Sequence, residues 1–200
     1  MIQLDQTNDR IVSGHRNGLR MLLRFSECRK RVGSPYQIEK AVREGRLFKM
    51  APGVYSESGE ESEIEVLQAR YPKSVLSLDS AYYYYDMTDE VPEQYVLVTA
   101  DNAPRISDPT VRQLYVPAGA LMVGATEYDY EGERLRIYDL ERLLVETARM
   151  KNLMPADLYK EIVLWYRANQ DRLDSSKLGE YAMAFPHKDR ILTIIDTEVY

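Results

Sequence analysis

The stretch that most constrains this chain is Ser34 to Tyr55, SPYQIEKAVREGRLFKMAPGVY, because it carries its own start and stop signals. Ser34 is a good helix N-cap, since its hydroxyl can accept a bond from an otherwise orphan backbone N–H. Pro35 then falls at the first helical position, where its missing N–H is no loss. Gln37, three residues after the cap, completes a capping-box pattern. Gly45 stands where a left-handed residue ends a helix. Between these signals Ile38, Ala41 and Val42 have i, i+3, i+4 spacing and make one apolar face. The opposite face carries Tyr36, Lys40 and Arg43, with Gln37 and Glu44 on its edge. A hairpin follows without a linker. Arg46 to Met50 and Val54-Tyr55 flank Ala51-Pro52-Gly53, and Pro followed by Gly suits a type II turn. The alternation in these strands is imperfect, so the hairpin rests on its turn. Local pattern leaves two readings open: a DNA-recognition helix with its wing, or an ordinary helix and hairpin in a small α/β core.

Charge separates the two. The net charge of −6 by itself argues against nucleic acid. Residues 1–55, however, hold 11 Lys/Arg against 5 Asp/Glu, a balance of +6, while residues 56–200 hold 15 against 27, a balance of −12. Such asymmetry suggests a basic binding module joined to an acidic body. Because phosphate contacts dominate DNA affinity, it favours the recognition-helix reading. The remaining composition, 44% hydrophobic and 29% charged, is that of a soluble globular protein. No apolar run approaches the ~18 residues of a bilayer span. The stretch MIQLDQTNDR lacks the basic start and apolar core of a signal peptide. The single cysteine, Cys28, offers neither an intrachain disulfide nor a zinc cluster. A cytoplasmic protein without membrane association is the expectation.

Taken in order, Ile2 and Leu4 suit a short strand or arm. A helix is expected over about 15–24, with Leu19, Leu22 and Leu23 inward and Arg16, Arg20 and Arg24 outward. Ser26 can cap a short helix from Glu27 to Arg31, and Val32-Gly33 turns into the capped helix. Helix, short helix, turn, capped helix, hairpin is the order of a winged helix-turn-helix, whose last helix enters the major groove with phosphate contacts flanking it. The acidic stretch SESGEESE marks the boundary, giving domains at 1–56 and 62–200. The second domain reads as a helix to Arg70 with Ile64 and Leu67 inward, a strand over 74–78, and a helix capped by Asp79 or Ser80. The run Tyr82 to Tyr85 points around most of that helix, so at least two tyrosines belong to the core. Strands are expected at 94–99 and 111–116, then a strand pair around Gly132, then a helix from Asp139 with Leu140, Leu143, Leu144 and Ala148 on one stripe. Three more helices are expected near 155–169, 175–184 and 187–197. The fold class is therefore α+β, a winged helix-turn-helix followed by a mixed domain with strands first and helices last.

No catalytic constellation emerges. His15 and His187 lie in no metal-ligand spacing, and no phosphate-loop or nucleophile motif occurs. Asp139 and Glu141 sit at a helix start, where a carboxylate favours the dipole. Neither a catalytic residue, a cofactor nor a metal is expected. A nuclease using Asp139 or Glu141 with a divalent metal is the weakest alternative. A winged-helix protein–protein interaction module with an acidic regulatory domain is the stronger one.

The motifs EGRLFKMAPGVY, YPKSVLSLDSAYYYYDMTDEVP and RIYDLERLLVETAR, in that order, resemble the AbiEi antitoxins of abortive-infection systems. The basic residue–Gly–x–Leu stretch leading to a wing that closes on Gly-Val-Tyr is matched by Arg43 to Leu47 and Gly53-Val54-Tyr55. Ser80-Ala81 and Glu141-Arg142 match further positions, while Met87 replaces the usual leucine before Thr88. The resemblance covers most of residues 26–150. It implies a type IV toxin–antitoxin antitoxin that binds inverted repeats in its own promoter. Such a protein also counteracts a nucleotidyltransferase-like toxin without a stable complex. Double-stranded DNA is then the partner, bound by monomers acting cooperatively. On the residue reading, Gln37 and Lys40 approach base edges with Ser34, Tyr36 and Arg43 beside them. Arg46 and Lys49 on the wing, and Arg29, Lys30 and Arg31 before the turn, hold phosphates.

Overall fold

A computed structural model describes residues 22–200 of the chain. The expectations for Ile2, Leu4 and a helix from residue 15 fall on residues 1–21, outside the described part, except at the end of that helix. There the chain is extended: β1 is Leu22–Arg24. Leu23 is buried as expected, but by strand pairing, with Leu22 to Arg24 facing Ser56 to Val54. Helix α1 runs Phe25–Val32, one turn wider than expected, and begins from Arg24 rather than Ser26. The Arg24 N–H donates to the Glu27 carboxylate at 2.7 Å.

Helix α2, Pro35–Arg43, has the expected ends. The Ser34 hydroxyl accepts the Gln37 N–H at 3.4 Å, and Gln37 Oε1 accepts the Ser34 N–H at 2.7 Å. At the other end Gly45 takes φ +69°, so that Gly45 and Arg46 donate back to the carbonyls of Val42 and Ala41. These two bonds close a Schellman cap. Strands β2, Phe48–Ala51, and β3, Val54–Ser56, follow around Pro52-Gly53. Arg46 and Leu47 lie before the strand and Ala51 inside it. A register shift between Lys49 and Ala51 explains the broken alternation. The sheet order is β1-β3-β2, antiparallel throughout. Leu23, Cys28, Ile38, Ala41, Leu47 and Tyr55 form its hydrophobic cluster.

A second, larger cluster runs from Ile64 to Val199. Helix α3, Glu63–Arg70, is capped by Ser62 and packs against both sheets. Helix α3 leads to β4, only Val75–Leu76, and α4, Leu78–Tyr84. The expected strand through Leu78 is thus cut short. Ser80 is not a cap either: its hydroxyl accepts the Val96 N–H at 2.8 Å and ties α4 to the sheet. Tyr82 and Tyr84 are buried, as the helical spacing required of at least two of the four tyrosines. The five-stranded mixed sheet has the order β6-β5-β4-β8-β7, with β5 Tyr95–Ala100, β6 Val111–Val116, β7 Ala125–Tyr130 and β8 Glu133–Tyr138. Because β4 pairs with β8 only at Leu76, the backbone of Arg136 lacks a strand partner there. The Gln68 side chain supplies one, donating to the Arg136 carbonyl at 2.8 Å and accepting its N–H at 2.9 Å.

Helices α5 Leu140–Met150, α6 Ala156–Ala168, α7 Ser175–Ala182 and α8 Lys188–Glu198 complete the α+β fold. Inside it Arg142 is fully buried. It pairs with Glu146 at 2.7 Å, donates to the carbonyls of Ala120 and Val123 at 2.7 and 2.6 Å, and lies over the rings of Tyr138 and Phe185. Its ion pair is with the carboxylate one turn on, not with neighbouring Asp139 or Glu141. No helix among the described residues is long and apolar enough to cross a membrane.

Candidate nucleic-acid interface

The ten residues selected on the sequence all lie on the surface of the first unit. Ile38 and Ala41 anchor α2 inward, which turns Tyr36, Gln37, Lys40 and Arg43 outward. Tyr36 is 66% exposed. Ser34, Arg29, Lys30, Arg31, Arg46 and Lys49 are exposed as well. Between α2 and the hairpin runs a groove of about 340 Å³ lined by Ile38, Glu39, Val42, Arg43, Lys49 and Tyr55. Arg43 from the helix and Lys49 from the hairpin thus flank one cleft.

Hydrogen bonds sort these side chains into two groups. Ser34 and Gln37 hold each other in the cap, so the Gln37 carbonyl oxygen already has a donor and only its NH₂ is available to a base edge. Lys40 and Arg46 both reach Glu44: Lys40 Nζ at 3.7 Å, Arg46 Nε at 3.0 Å. Arg31 pairs with Glu57 at 3.7 Å. Arg29, Lys30, Arg43 and Lys49, by contrast, form no ion pair among the described residues. Four unpartnered cations on exposed helices and hairpin suit an anionic polymer, because each phosphate neutralised releases counterions. A capped helix with a polar outer face also matches the width of a B-DNA major groove.

Glu44, placed by the sequence on the edge of the outer face and not among the selected residues, is the carboxylate that ties two of them together. The Lys40–Glu44 spacing of i, i+4 was visible. The second arm was not, because Arg46 returns to Glu44 only through the Schellman cap at Gly45. Neighbouring Cys28 is buried, and burial pushes its thiol pKa up, which makes it a poor nucleophile.

The acidic unit offers no comparable assembly for catalysis. Asp139 accepts from the Arg142 N–H at 2.9 Å and the Tyr181 hydroxyl at 3.0 Å, with Lys177 at 3.5 Å. Glu141 accepts from the Asp174 N–H at 2.9 Å. Both carboxylates hold helices together. Among the described residues no three His, Cys, Asp or Glu side chains gather as a metal site would require.

No family model matches the chain, and no curated protein does. Among solved structures, the crystal structure of the RV2827C protein from Mycobacterium tuberculosis is similar, with a TM-score of 0.61 over 88% of this chain and 72% of that one. At 16% identity the likeness speaks to the fold, which the two chains share over most of this one's length.

Proposed function

We propose that this chain is a cytoplasmic DNA-binding autorepressor and the antitoxin of a type IV toxin–antitoxin system. Residues 1–56 act as a winged helix-turn-helix, with α2 in the major groove and the β2–β3 hairpin as wing. Residues 62–200 counteract a nucleotidyltransferase-like toxin. The observation that carries the DNA half is the set Arg29, Lys30, Arg43 and Lys49, exposed on α1, α2 and the hairpin and without an ion pair among the described residues, while residues 56–200 are strongly acidic. Arg29 and Lys30 on α1 would grip backbone phosphates, and Tyr36, Lys40 and Arg43 would lie nearest base edges. The toxin half rests on the AbiEi resemblance.

Two experiments test the two halves separately. The protein should retard DNA from upstream of its own gene in a mobility-shift assay at low salt. Failure there by the intact chain removes the repressor reading. Coexpression with the neighbouring gene should restore growth that this gene alone arrests. A neighbour that is harmless, or whose toxicity is unaffected, removes the antitoxin reading.

A further inference from the structure

An open groove of about 440 Å³ lies between the end of α3 and the segment that joins β5 to β6. Strands β5 and β6 are parallel neighbours, so residues 101–110 must cross back over the sheet to connect them. The crossing is irregular and is pinned by side chains. Gln113 accepts the Ile106 N–H at 2.7 Å and donates to the Pro104 carbonyl at 3.1 Å and to Thr99 Oγ1 at 2.8 Å. Asp108 accepts from Arg70 at 2.6 Å and from the Tyr71 hydroxyl at 3.3 Å, which locks the crossing to α3. Tyr71, Pro72, Pro104 and Ile106 then give the groove a fixed apolar lining. The polar groups of Arg70, Tyr71, Ser74 and Thr99 already have partners within the protein.

Two cations stand on this groove, Lys73 and Arg105. Both are exposed, and among the described residues neither forms an ion pair or hydrogen bond. Their sign runs against that of residues 56–200, which carry −12. We propose that the groove docks an acidic peptide segment of a partner protein, with an apolar or aromatic side chain on Tyr71, Pro72 and Ile106 and flanking carboxylates on Lys73 and Arg105. A concave apolar lining favours a buried anchor residue, the commonest source of interface energy. The two cations select carboxylates for it, and a basic segment would be repelled locally. A nucleic-acid backbone fits less well, since it has no apolar group for the lining. The site lies outside the surface assigned to DNA and does not depend on that assignment.

The test is a titration of the ¹⁵N-labelled full chain with a blocked synthetic peptide, Asp-Glu-Trp-Leu-Asp-Glu, and with its basic counterpart, Lys-Lys-Trp-Leu-Lys-Lys. The acidic peptide should give saturable shifts confined to residues 70–74 and 103–107, weakened by added salt. The double substitution Lys73→Glu with Arg105→Glu, on two exposed side chains, should weaken binding about tenfold. Absence of shifts at millimolar peptide, equal response to the basic peptide, or shifts at these residues only with duplex DNA would each overturn the proposal.

Discussion

Replacing Glu44 with Gln should strengthen DNA binding, an outcome opposite in sign to most surface changes near a binding site. The carboxylate holds Lys40 at 3.7 Å and Arg46 at 3.0 Å, and all three side chains are well exposed. Exposed pairs of this kind are worth about 0.2–1 kcal/mol each, so releasing two cations recovers about 1 kcal/mol for contacts with DNA. Removing the repulsion between Glu44 and a phosphate ~8 Å away adds about 0.5 kcal/mol in water. Together the gain is about 1.5 kcal/mol, or about tenfold in affinity at low salt. Arg46, the released cation assigned to phosphate, adds one counterion-releasing contact and would steepen the plot of log K against log salt by about 0.9. Folding stability should barely change. The cap bond from the Glu44 N–H to the Lys40 carbonyl is retained, and losing a negative charge at a helix C-terminus is favourable. Fluorescence anisotropy on a labelled duplex from upstream of the gene, with thermal melting alongside, separates the two effects. Binding by Glu44→Gln that is equal to or weaker than that of the parent chain would refute the reasoning.

Other outcomes follow from the buried parts of the fold. Arg142→Ala should cost about 3–5 kcal/mol in urea unfolding, because it leaves the buried Glu146 with Arg149 as its remaining cation, takes the donor from the Val123 carbonyl and empties a core position; a loss under ~1 kcal/mol would mean the network is dispensable. Gly124→Ala should cost about 3 kcal/mol, since Gly124 has φ +72° and a Cβ there would stand 2.4 Å from Arg142 Cβ; a melting temperature like that of the parent would contradict this packing. Burial pushes the Asp108 carboxyl up, but the bonds from Thr110, Arg70 and Tyr71 outweigh it and hold the pKa below the usual carboxylate range. Its contribution is therefore present above the unfolded value of about 3.9 and is lost as pH falls through the folded value. The stability gap between the parent and Asp108→Asn should be open at neutral pH and close in acid, and an equal gap at both would exclude this ionisation as the cause.

What could be read from the sequence was whatever is decided locally. Ser34, Gln37 and Gly45 set both ends of α2 through bonds spanning three to five residues, and the structure reproduces them. The two positive-φ residues Glu131 and Gly132 likewise fix the β7–β8 hairpin. Leu22-Leu23 went the other way. Leucines at 19, 22 and 23 fit a helical stripe as well as an extended segment, and pairing with β3 decides for a strand. Ser80 shows the same limit: it has the chemistry of a cap, but Val96 on a distant strand takes its hydroxyl. In the candidate interface, residue types and exposure were legible, while partnership was not. Whether Lys40, Arg46 or Arg31 is free depends on Glu44 and Glu57, and two of those pairings require the folded chain to return on itself. The groove at Tyr71 and Ile106 was invisible, because residues more than thirty apart form it through Asp108 and Gln113.

The central claim is that the α1–α2–hairpin surface binds DNA through Arg29, Lys30, Arg43 and Lys49. The direct measurement is the affinity of the full chain for its upstream duplex over a salt series, for the parent and for Lys30→Ala, Arg43→Ala and Lys49→Ala. The account predicts a linear fall of log K with log salt, less steep by about 0.9 in Lys30→Ala and in Lys49→Ala, whose side chains hold phosphates, and a relaxed sequence preference in Arg43→Ala, whose side chain lies nearest base edges. Affinity and slope unchanged in all three variants, with the fold intact, would contradict it.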